Sequence, residues 1–424
     1  MLQLNVIREK KEWVLERLAI KNIDASSTLD QVLSLDIDKR KKQTELETLL
    51  AEQNSIAKQI GEMFKSGNKD GAEELKSKST QLKERSKVLE EEVAQAETAI
   101  NDILVSLPNM PHTSVPKGKT PEENEVVYLS TEVLPTLPET AVPHWELTSK
   151  YDIIDFELGN KITGAGFPVY KGQGAKLQRA LINFFLDRAE KAGYYEVQPP
   201  ILINADSGYG TGQLPDKEGQ MYHVTVDGFY LIPTAEVPVT NIFRDEIVKA
   251  ESLPIKYTAY TPCFRREAGS YGAHVRGLNR LHQFDKVEIV QVAHPDTSYA
   301  ILEDMKEYVA GLLHELELPF RTLRLCGGDM SFASALTYDM EVWSAAQQRW
   351  LEVSSVSNFE TFQSNRLKLR YREGSGKPQL AHTLNGSALA LPRIVAALLE
   401  NNQTPEGIKI PKALVPFTGF EWIK

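Results

Sequence analysis

The stretch AEELKSKSTQLKERSKVLEEEVAQAETAINDI, residues 72–103, decides the architecture of the first quarter of this chain. Its apolar and small residues recur at spacings that alternate between three and four without a break. The positions of this seam are Ala72, Leu75, Ser79, Leu82, Ser86, Leu89, Val93, Ala96, Ile100 and Ile103. Such a heptad repeat, with a period of about 3.5 residues, indicates a long helix that packs along its length against a second helix.

The segment just before this stretch predicts the second helix of the pair. Residues 32–63 repeat the same alternating spacing, although several of the seam positions are polar. Between the two repeats lie residues 65–71, KSGNKDG, whose glycines can end one helix and allow the next to begin. We therefore predict that residues 1–107 form an antiparallel two-helix coiled-coil arm, with each helix about 50 Å long at about 1.5 Å per residue.

The distal part of the arm differs in charge from the rest of the chain. From Lys39 to Lys87 there are 12 Lys and Arg residues and 8 Asp and Glu residues, a local balance of +4, whereas the whole chain carries −10. One interpretation is the solvated surface of a coiled coil. Another is an electrostatic arm for an RNA backbone. The charge of the arm leaves both interpretations open.

Composition narrows the class of protein. A chain of 424 residues suits two or three domains, and 42% hydrophobic with 25% charged residues is typical of a globular protein in water. No window reaches the roughly 18 apolar residues of a membrane span, and residues 1–21 lack the apolar core of a secretory signal. Cys263 and Cys326 stand alone, without a CxxC pair. We expect a cytoplasmic protein without membrane contact, disulfide framework or zinc site.

Helical and strand patterns are mixed in the second part of the chain. Residues 108–125 are rich in proline, which favours extended chain, and are predicted to be a linker. The mixed pattern that follows predicts an α+β domain over residues 126–424, with an antiparallel sheet flanked by helices. The predicted helices are residues 174–191, 297–316 and 391–400, and the predicted strands are residues 194–200, 221–226, 229–232, 257–265, 281–292 and 352–356, of which 221–226 and 229–232 form a hairpin.

Charged and aromatic side chains recur on these predicted strands. Arg265 and Glu267 lie two residues apart, so that on a strand both would project from one face. Phe284 and Glu288 also share a face, and Glu352 adds an acid with hydroxyls close by. Each pattern alone is also typical of cross-strand ion pairs on a solvated face. Together they can hold a nucleotide, with arginine on phosphate, an aromatic ring on the base and acids on a magnesium ion.

Five short motifs follow one another through the second domain and carry these polar residues. They are TAEVP (234–238), FRREAG (264–269), RGLNRLHQF (276–284), EVSS (352–355) and TLNGSALA (383–390), the last followed by Arg393. The set is similar to the motifs of the serine–tRNA ligases, a family of class II aminoacyl-tRNA synthetases, in that family's order. The family also begins with a long helical hairpin, so the resemblance covers essentially the whole chain. Because no Cys/His cluster is present, the chain resembles the common bacterial type.

The resemblance implies an ATP site with magnesium. Arg265 would hold the α-phosphate, and Glu267 would contact the adenine, beneath which Phe284 would stack. Arg280 and Arg393 would hold the distal phosphates. Glu352 and Ser355 would coordinate Mg²⁺. The implied catalytic residues are Arg265 and Arg393, and the implied ATP-binding residues are Arg265, Arg266, Glu267, Arg280, Leu281, Phe284, Glu352, Val353, Ser354, Ser355 and Arg393.

The resemblance also implies a serine site beside the ATP site. Thr234 and Glu236 would receive the amino group of serine, and Glu288 and Ser387 would recognise its hydroxyl. The implied serine-binding residues are Thr234, Ala235, Glu236, Arg265, Glu288, Asn385 and Ser387. The implied reaction is the ATP-dependent attachment of L-serine to tRNA(Ser), and also to tRNA(Sec), through a seryl-adenylate.

Further implications concern partners. The arm would lie against the tRNA, and residues 174–200 match the family's motif for a homodimer interface. Two departures from the family's pattern leave contacts with the tRNA acceptor end less defined. Val356 stands where cysteine is common, and residues 271–275 replace a more charged run.

Two other functions compete with this one. A ligase paralogue could activate an amino acid and load a carrier that is not tRNA, but such relatives usually lack the RNA arm. A non-enzymatic coiled-coil protein with an inactive ligase domain would be expected to have damaged phosphate or magnesium positions. Here Arg265, Glu352, Ser355 and Arg393 are all present.

Overall fold

The computed structural model describes residues 1–66, 68–268 and 276–424. The chain divides into a helical unit, Leu2–Ala19 with Ile23–Pro108, and a larger unit, Met1 and Ile20–Asn22 with Asn109–Lys424. Gly67 of the predicted turn, Gly269 of the second motif and the unusual residues 271–275 lie outside the described residues.

The helical unit contains three helices, α1 (Leu4–Ile20), α2 (Ser26–Ser66) and α3 (Lys69–Ser106). The predicted pair is α2 and α3, whose 41 and 38 residues correspond to about 60 Å each at about 1.5 Å per residue. The antiparallel coiled-coil arm is thereby confirmed. Its seam buries residues from both helices, and these are Leu46, Ile56, Ala72, Leu89, Val93, Ala96 and Ile100.

The turn between α2 and α3 is shorter than the seven residues predicted for it. The side chain of Asn68 accepts a hydrogen bond from the backbone N–H of Gly71 at 3.1 Å, and so caps the first turn of α3. Asp70 and Gly71 therefore lie inside the helix instead of before it. Farther along the arm, the Gln53 side chain donates to the hydroxyl of Ser86, which satisfies a polar pair within the seam.

Ion pairs between the two long helices use part of the arm's positive charge. The pairs join Lys39 to Glu97, Lys42 to Glu92, Lys78 to Glu52 and Arg85 to Glu45. All of these side chains are partly exposed, so each pair adds little to the free energy of unfolding. Other cations point into solvent along the same helices, among them Arg40, Lys41, Lys58, Lys65 and Lys69.

An eight-stranded sheet forms the centre of the larger unit. Its strands in chain order are β1 (Glu125–Leu129), β2 (Tyr195–Glu196), β3 (Ile255–Phe264), β4 (Gln283–Ala293), β5 (Phe320–Arg324), β6 (Leu336–Ser344), β7 (Arg349–Asn358) and β8 (His382–Ala390). The order across the sheet is β1-β5-β6-β7-β8-β4-β3-β2. Every neighbouring pair is antiparallel except β2 with β3, which is parallel. The predicted α+β class with an antiparallel sheet is confirmed.

The helices of this unit cover the sheet and fill its core. They are α4 (His144–Lys150), α5 (Phe156–Ile162), α6 (Gly172–Lys191), α7 (Ala205–Thr211), α8 (Glu236–Asn241), α9 (Ser298–Glu315), α10 (Phe362–Leu367), α11 (Leu391–Asn401) and α12 (Val415–Thr418). Phe184 and Phe185 of α6 and Leu302 of α9 are fully buried and belong to the same hydrophobic core as Val287 and Ile289 of β4. This apolar layer fixes the central strands, whose polar side chains form the site described below.

In the described part of the chain, the remaining short strands form four separate sheets of two or three strands each. The predicted hairpin is present, with His223–Val224 paired to Phe229–Leu231 around Gly228, whose φ of +69° suits glycine. The other short strands are Ile154–Asp155, Val169–Tyr170, Leu202–Ile203, Ile247–Lys249, Arg370–Arg372, Gln379–Leu380, Gln403–Thr404, Gly407–Lys409 and Trp422–Ile423.

The strands predicted from the sequence were incomplete. The strand predicted over residues 194–200 is only Tyr195–Glu196, because the prolines at positions 199 and 200 have no N–H for a ladder. The sequence reading also missed β1, β5 and β6. Strand β8, which contains the fifth motif, was not predicted as a strand either.

Two further features of the molecule concern its cysteines and its hydrophobic helices. Cys263 and Cys326 are both free thiols and both fully buried. Within the ranges that the structure describes, no helix combines the length and the apolar character needed to cross a bilayer.

Candidate active site

The polar residues of the five motifs lie on β4, β7, β8 and α11, in the loop between β3 and β4, and on the segment that leads into α8. Because β3 ends at Phe264, Arg265 and Glu267 lie in that loop and not on the strand predicted over residues 257–265. Glu288 of β4 lies directly opposite Ser387 of β8 in the ladder, and Phe284 of β4 lies opposite Cys263 of β3. The ladder register thus places side chains from distant parts of the sequence next to one another.

Arg265 lies between the first motif and the aromatic ring of the third. Its guanidinium carbon is 5.2 Å from the ring centroid of Phe284, a cation–π contact. Its Nε donates to the carbonyl oxygen of Pro233 at 3.4 Å. The predicted phosphate ligand and the predicted stacking ring therefore lie side by side, next to the segment that carries Thr234 and Glu236.

An acid and an arginine face each other in the loop after β3. Glu267 forms an ion pair with Arg280, whose Nε lies 3.1 Å from the Glu267 carboxylate. Glu267 has a φ of +49°, an uncommon backbone conformation for a residue other than glycine. The neighbouring Arg266 donates its backbone N–H to the carbonyl of Gln220 at 2.8 Å. Leu281, which follows Arg280, is buried. Arg280 is 44% exposed, so its side chain can turn towards a ligand.

The arginine of α11 contacts the acid of β7. Arg393 Nη1 donates to the backbone oxygen of Glu352 at 2.7 Å and lies 3.7 Å from its carboxylate. Glu352 is 51% exposed, so its carboxylate is accessible from solvent. Val353 is buried, and the hydroxyl of Ser354 donates to the carbonyl of Ser387 at 2.6 Å. Val353 and Ser354 thus support the site through packing and a backbone contact.

Two acids on β6 also border this part of the sheet, and the sequence reading did not include them. Asp339 lies opposite Ser355, and Glu341 lies opposite Glu352. Burial raises the pKa of Asp339 well above its usual range, and the negative charge of Glu352 raises it further. Burial likewise raises the pKa of Glu341, against the opposing effect of Arg321. Their spacing of two in the sequence was the signal that could have found them.

These oxygens bear on whether a magnesium ion would fit. Glu352 and Ser355 supply a carboxylate and a hydroxyl, which are hard oxygen donors. Asp339 Oδ1, close by, is buried without a hydrogen-bond partner in the part of the chain that the structure describes. Across the same residues, no three His, Cys, Asp or Glu side chains form a group able to hold a metal ion. The residues thus fit Mg²⁺ held jointly by protein and substrate phosphates, which is its usual mode of binding.

A buried polar cluster joins the first motif to β4. Lys286 Nζ lies 2.5 Å from a carboxylate oxygen of Glu288 and donates to the hydroxyl of Thr234 at 2.8 Å. Thr234 in turn donates to Glu288 at 3.1 Å. The sequence reading missed Lys286, although it lies two residues before Glu288 on the same strand and therefore on the same face.

Glu236 lies in the same cluster and is held by α10 and β8. Gln363 Nε2 donates to its carboxylate at 2.7 Å, and Gln363 Oε1 accepts from the hydroxyl of Thr383 at 2.7 Å. Burial raises the pKa of Glu236 to about 7, and the negative charge of Glu288 contributes to that shift. Gln363 and Thr383 were also missed, because no local pattern links them to Glu236.

The remaining residues of the predicted serine site line the same region. Ala235 is fully buried, and Ser387 is almost so. The side chain of Asn385 is buried and interacts with the carboxylate of Glu236, which opposes the rise in the pKa of that group. Val356 of β7, which stands where cysteine is common in the family, is fully buried. It pairs with Gly386, which lies between Asn385 and Ser387 on β8.

Two family models match this chain, and curated relatives match it over its full length. Residues 1–111 match the Seryl-tRNA synthetase N-terminal domain, and residues 222–402 match the tRNA synthetase class II core domain (G, H, P, S and T). The serine–tRNA ligase of Salinibacter ruber is 52% identical over 422 residues, which cover 99% of this chain and 98% of that protein. The serine–tRNA ligase of Methylacidiphilum infernorum is 47% identical over 431 residues, with all of both chains covered.

Solved structures give the same result. The seryl-tRNA synthetase of Pyrococcus horikoshii, complexed with ATP, superposes with a TM-score of 0.93 at 33% identity, over 100% of this chain and 99% of that one. The cytoplasmic serine–tRNA ligase of Naegleria fowleri, in complex with AMP, superposes with a TM-score of 0.89 at 27% identity, with the same coverage. The chain therefore belongs to the serine–tRNA ligase family, and it is an aminoacyl-tRNA ligase with a class II core.

Proposed function

We propose that this enzyme attaches L-serine to tRNA(Ser) through a seryl-adenylate, and that it also serylates tRNA(Sec). The observation that carries the proposal is the buried cluster of Thr234, Lys286 and Glu288 beside Arg265 and Phe284. It supplies polar partners for a small hydroxylated amino acid next to a phosphate-binding arginine and a ring for a purine. A similar family member binds ATP in its crystal structure, which supports the same nucleotide here.

In the first step, a carboxylate oxygen of serine attacks the α-phosphorus of ATP. The bond from that phosphorus to the bridging oxygen of the β-phosphate breaks, and diphosphate leaves. Arg265 stabilises the charge that develops on the α-phosphate, while Arg280 and Arg393 hold the distal phosphates. Because these cations are in place before the reaction, the step needs no covalent enzyme intermediate.

The remaining nucleotide contacts orient ATP. Phe284 stacks beneath the adenine, and Glu267 contacts its edge from the loop after β3. Arg266 and Leu281 support that loop through a backbone hydrogen bond and through burial. Glu352 and Ser355 would hold Mg²⁺, which supplies positive charge to the phosphates when bound.

In the second step, the seryl group passes to a ribose hydroxyl at the 3′ end of the tRNA. The hydroxyl oxygen forms a bond to the acyl carbon, and the bond from that carbon to the phosphate oxygen of AMP breaks. AMP leaves and the hydroxyl proton is released. The arm supports this step, because its exposed cations can bind the tRNA backbone by shape and charge.

Selection of serine follows from the buried cluster. The ammonium of serine binds Glu236 and Thr234, and its hydroxyl bonds Glu288 and Ser387. Alanine lacks that hydroxyl and would leave buried polar groups unpaired, a loss that can reach about 10⁴-fold in kcat/KM. Threonine carries one extra methyl group and would be excluded by the size of the serine site.

We also propose that the enzyme is a cytoplasmic homodimer with three regions. These are the arm over residues 1–107, a linker over residues 108–125 and the catalytic domain over residues 126–424. Support for a dimer comes from β2, a short strand at the edge of the sheet, whose Tyr195 is 67% exposed. An exposed edge strand is a ready surface for pairing with a second chain. Sedimentation equilibrium of the full chain tests this point.

The decisive experiment is serine-dependent ATP–pyrophosphate exchange, with alanine and threonine as competing amino acids and Arg265→Ala as the variant. The proposal expects exchange with serine alone and its loss in the variant. Exchange without subsequent charging of tRNA(Ser) or tRNA(Sec) would favour a paralogue that loads another carrier. A folded protein without exchange for any amino acid would contradict the proposal.

A further inference from the structure

A buried histidine outside the five motifs contacts the loop that leads to Arg280. His144 at the start of α4 and Glu400 near the end of α11 are both completely buried, and His144 Nδ1 lies 2.7 Å from Glu400 Oε1. On its other side, the His144 ring accepts a hydrogen bond at Nε2 from the backbone N–H of Leu278 at 2.8 Å. Because Nε2 accepts, the ring proton lies on Nδ1 and is donated to Glu400.

Glu400 is fixed by other donors as well. The backbone N–H of His144 donates to Glu400 Oε1 at 2.9 Å, and the side chain of Gln347 donates to the same oxygen at 3.0 Å. The hydroxyl of Ser344 donates to Oε2. A carboxylate with this many donors is rigid, so the imidazole that it orients has one defined tautomer and one defined direction.

The backbone that His144 contacts is fitted closely to the ring. Gly277 has a φ of +68°, and a Cβ atom at this position would lie 2.3 Å from His144 Nε2. A side chain at position 277 would therefore collide with the imidazole. The guanidinium of Arg276 lies 4.8 Å from the ring centroid of Trp145, the residue that follows His144.

The far end of the same segment is held too. The side-chain N–H of Asn279 donates to Gln347 at 3.0 Å. The backbone carbonyl oxygen of Asn279 accepts a hydrogen bond from Arg393 Nε at 3.1 Å. Gln347 thus contacts both Asn279 and Glu400. The residues from Arg276 to Asn279 are seated on α4, on the turn after β6 and on α11, and the next residue along the chain is Arg280.

We propose that His144 is a positioning residue for ATP binding. Its imidazole, oriented by Glu400, holds the backbone of residues 276–279 so that Arg280 meets the distal phosphates. This inference rests on the proposed function for the role of Arg280. It adds a chain of hydrogen bonds from Glu400 on α11 through His144 on α4 to the backbone of residues 276–279. Neither Glu400 nor His144 belongs to any of the five motifs.

Two substitutions at one position separate the two hydrogen bonds of the ring. In His144→Gln, the side-chain oxygen can reach the place of Nε2 and still accept from the N–H of Leu278. In His144→Asn, the shorter amide can donate to Glu400 but cannot reach Leu278. We expect His144→Asn to raise the KM for ATP roughly tenfold, the effect of one lost hydrogen bond of about 1.4 kcal/mol, with the KM for serine little changed. His144→Gln should restore most of the ATP affinity.

Controls distinguish positioning from general damage. His382 is another enclosed histidine, whose Nδ1 lies 2.7 Å from the hydroxyl of Ser298, and His382→Asn should leave the KM for ATP unchanged. In a double-mutant cycle, His144→Asn should add little to the loss caused by Arg280→Ala, because both act on the same contact with phosphate. Thermal unfolding of every variant shows whether each remains folded.

A second readout does not depend on activity. Hydrogen–deuterium exchange of the peptide that contains Leu278 should accelerate in His144→Asn and remain slow in wild type and in His144→Gln. The proposal is overturned if folded His144→Asn keeps this amide protected, if both KM values rise equally, or if the effects of His144→Asn and Arg280→Ala are fully additive. Absence of serine-dependent exchange in the wild type would instead remove the proposed function, and the Leu278 amide together with equilibrium ATP binding would still decide the role of His144.

Discussion

The ammonium of Lys286 lies 2.5 Å from a carboxylate oxygen of Glu288, and the two side chains are only 7% and 2% exposed. A pair of opposite charges buried this deeply is costly to break, because removal of one partner leaves the other charge without compensation. Lys286 also holds the hydroxyl of Thr234, so that it fixes two residues of the proposed serine site.

We therefore expect Lys286→Met to lower the free energy of unfolding by about 3–5 kcal/mol, as measured by urea denaturation. The double variant Lys286→Met with Glu288→Gln should be more stable than Lys286→Met alone, because the uncompensated charge is gone. If the double variant is no more stable than the single one, the loss comes from packing and not from the buried charge.

The carboxyl of Glu236 makes stability depend on pH in an unusual direction. Its pKa is about 7 in the folded chain, raised mainly by burial and then by Glu288, against a normal value of 4.5. Between these two values the folded protein holds a proton that the unfolded chain has lost, so the free energy of unfolding falls as pH rises from about 4.5 to about 7. Above about pH 7 the carboxyl is ionised in the folded protein too, and the total decrease in the free energy of unfolding amounts to about 3 kcal/mol. Glu236→Gln should remove this part of the pH dependence in urea titrations.

The same carboxyl should give serine binding a pH dependence. An ammonium group binds the ionised form of Glu236, which becomes the main form only above about pH 7. We expect the KM for serine in pyrophosphate exchange to fall between about pH 6 and pH 8, while the KM for ATP changes less. A serine KM that is flat over this range in the wild type would show that Glu236 does not receive the ammonium.

Gly386 and Val356 are fitted to each other across β7 and β8. A Cβ atom on Gly386 would lie 2.9 Å from one methyl carbon of Val356 and 3.2 Å from the other. Gly386→Ala should therefore lower the free energy of unfolding by about 1–3 kcal/mol through overpacking. It should also raise the KM for serine, because Asn385 and Ser387 flank the glycine.

A compensating change tests this explanation. Val356→Ala creates room opposite position 386, so Gly386→Ala should cost less in that background than in the wild type, by roughly 1 kcal/mol or more. Equal costs in both backgrounds would mean that Val356 is not what limits the size of residue 386. The measurement is urea denaturation of the two single variants and the double variant.

The exposed cations of the arm should govern the salt dependence of tRNA binding. Lys58, Lys65 and Lys69 lie near the turn between the long helices and are exposed. Their combined replacement by alanine should weaken tRNA(Ser) binding and reduce the slope of log K against log salt by up to about 0.9 per lost phosphate contact. Pyrophosphate exchange should not change, because it does not involve tRNA.

Neutralisation of acidic residues on the arm provides the control for this prediction. Glu62 and Glu73 are exposed acids on the same helices, and their replacement by glutamine should strengthen tRNA binding. An alanine triple variant with unchanged affinity and salt slope would mean that the tRNA lies elsewhere. The arm's charge would then be only the solvated surface of a coiled coil.

The arm could be predicted because its signal is local and repeated. Each turn of α3 contributes a residue to the seam, so ten positions from Ala72 to Ile103 all point to the same structure. The turn was predicted less well. The glycines suggested that α3 begins after Gly71, whereas one hydrogen bond to the side chain of Asn68 caps the helix before Lys69. Strands β3 and β4 were found for a similar reason, as long runs of apolar and β-branched residues.

Strand β8 shows the limit of local reasoning. Its sequence HTLNGSALA contains small and polar residues with weak strand propensity, and it becomes a strand because β7 and β4 pair with it on both sides. The same holds for the site. Gln363 lies 127 residues after Glu236, and only the fold reveals their contact. The motifs supplied the residues proposed to meet the substrates, whereas the residues that hold them in place became visible only in three dimensions. The catalytic roles of the motif residues stay predictions.

The burial of both thiols makes this enzyme convenient for site-specific spectroscopy. Cys263 and Cys326 are fully enclosed, and burial also raises the pKa of Cys263, so neither is suited to rapid alkylation by a maleimide. A single cysteine introduced at the exposed position of Ser66 would be the preferred point of attachment for a fluorophore or spin label. The arm can thus be tagged without prior removal of native cysteines, and its environment can be followed in real time as tRNA binds.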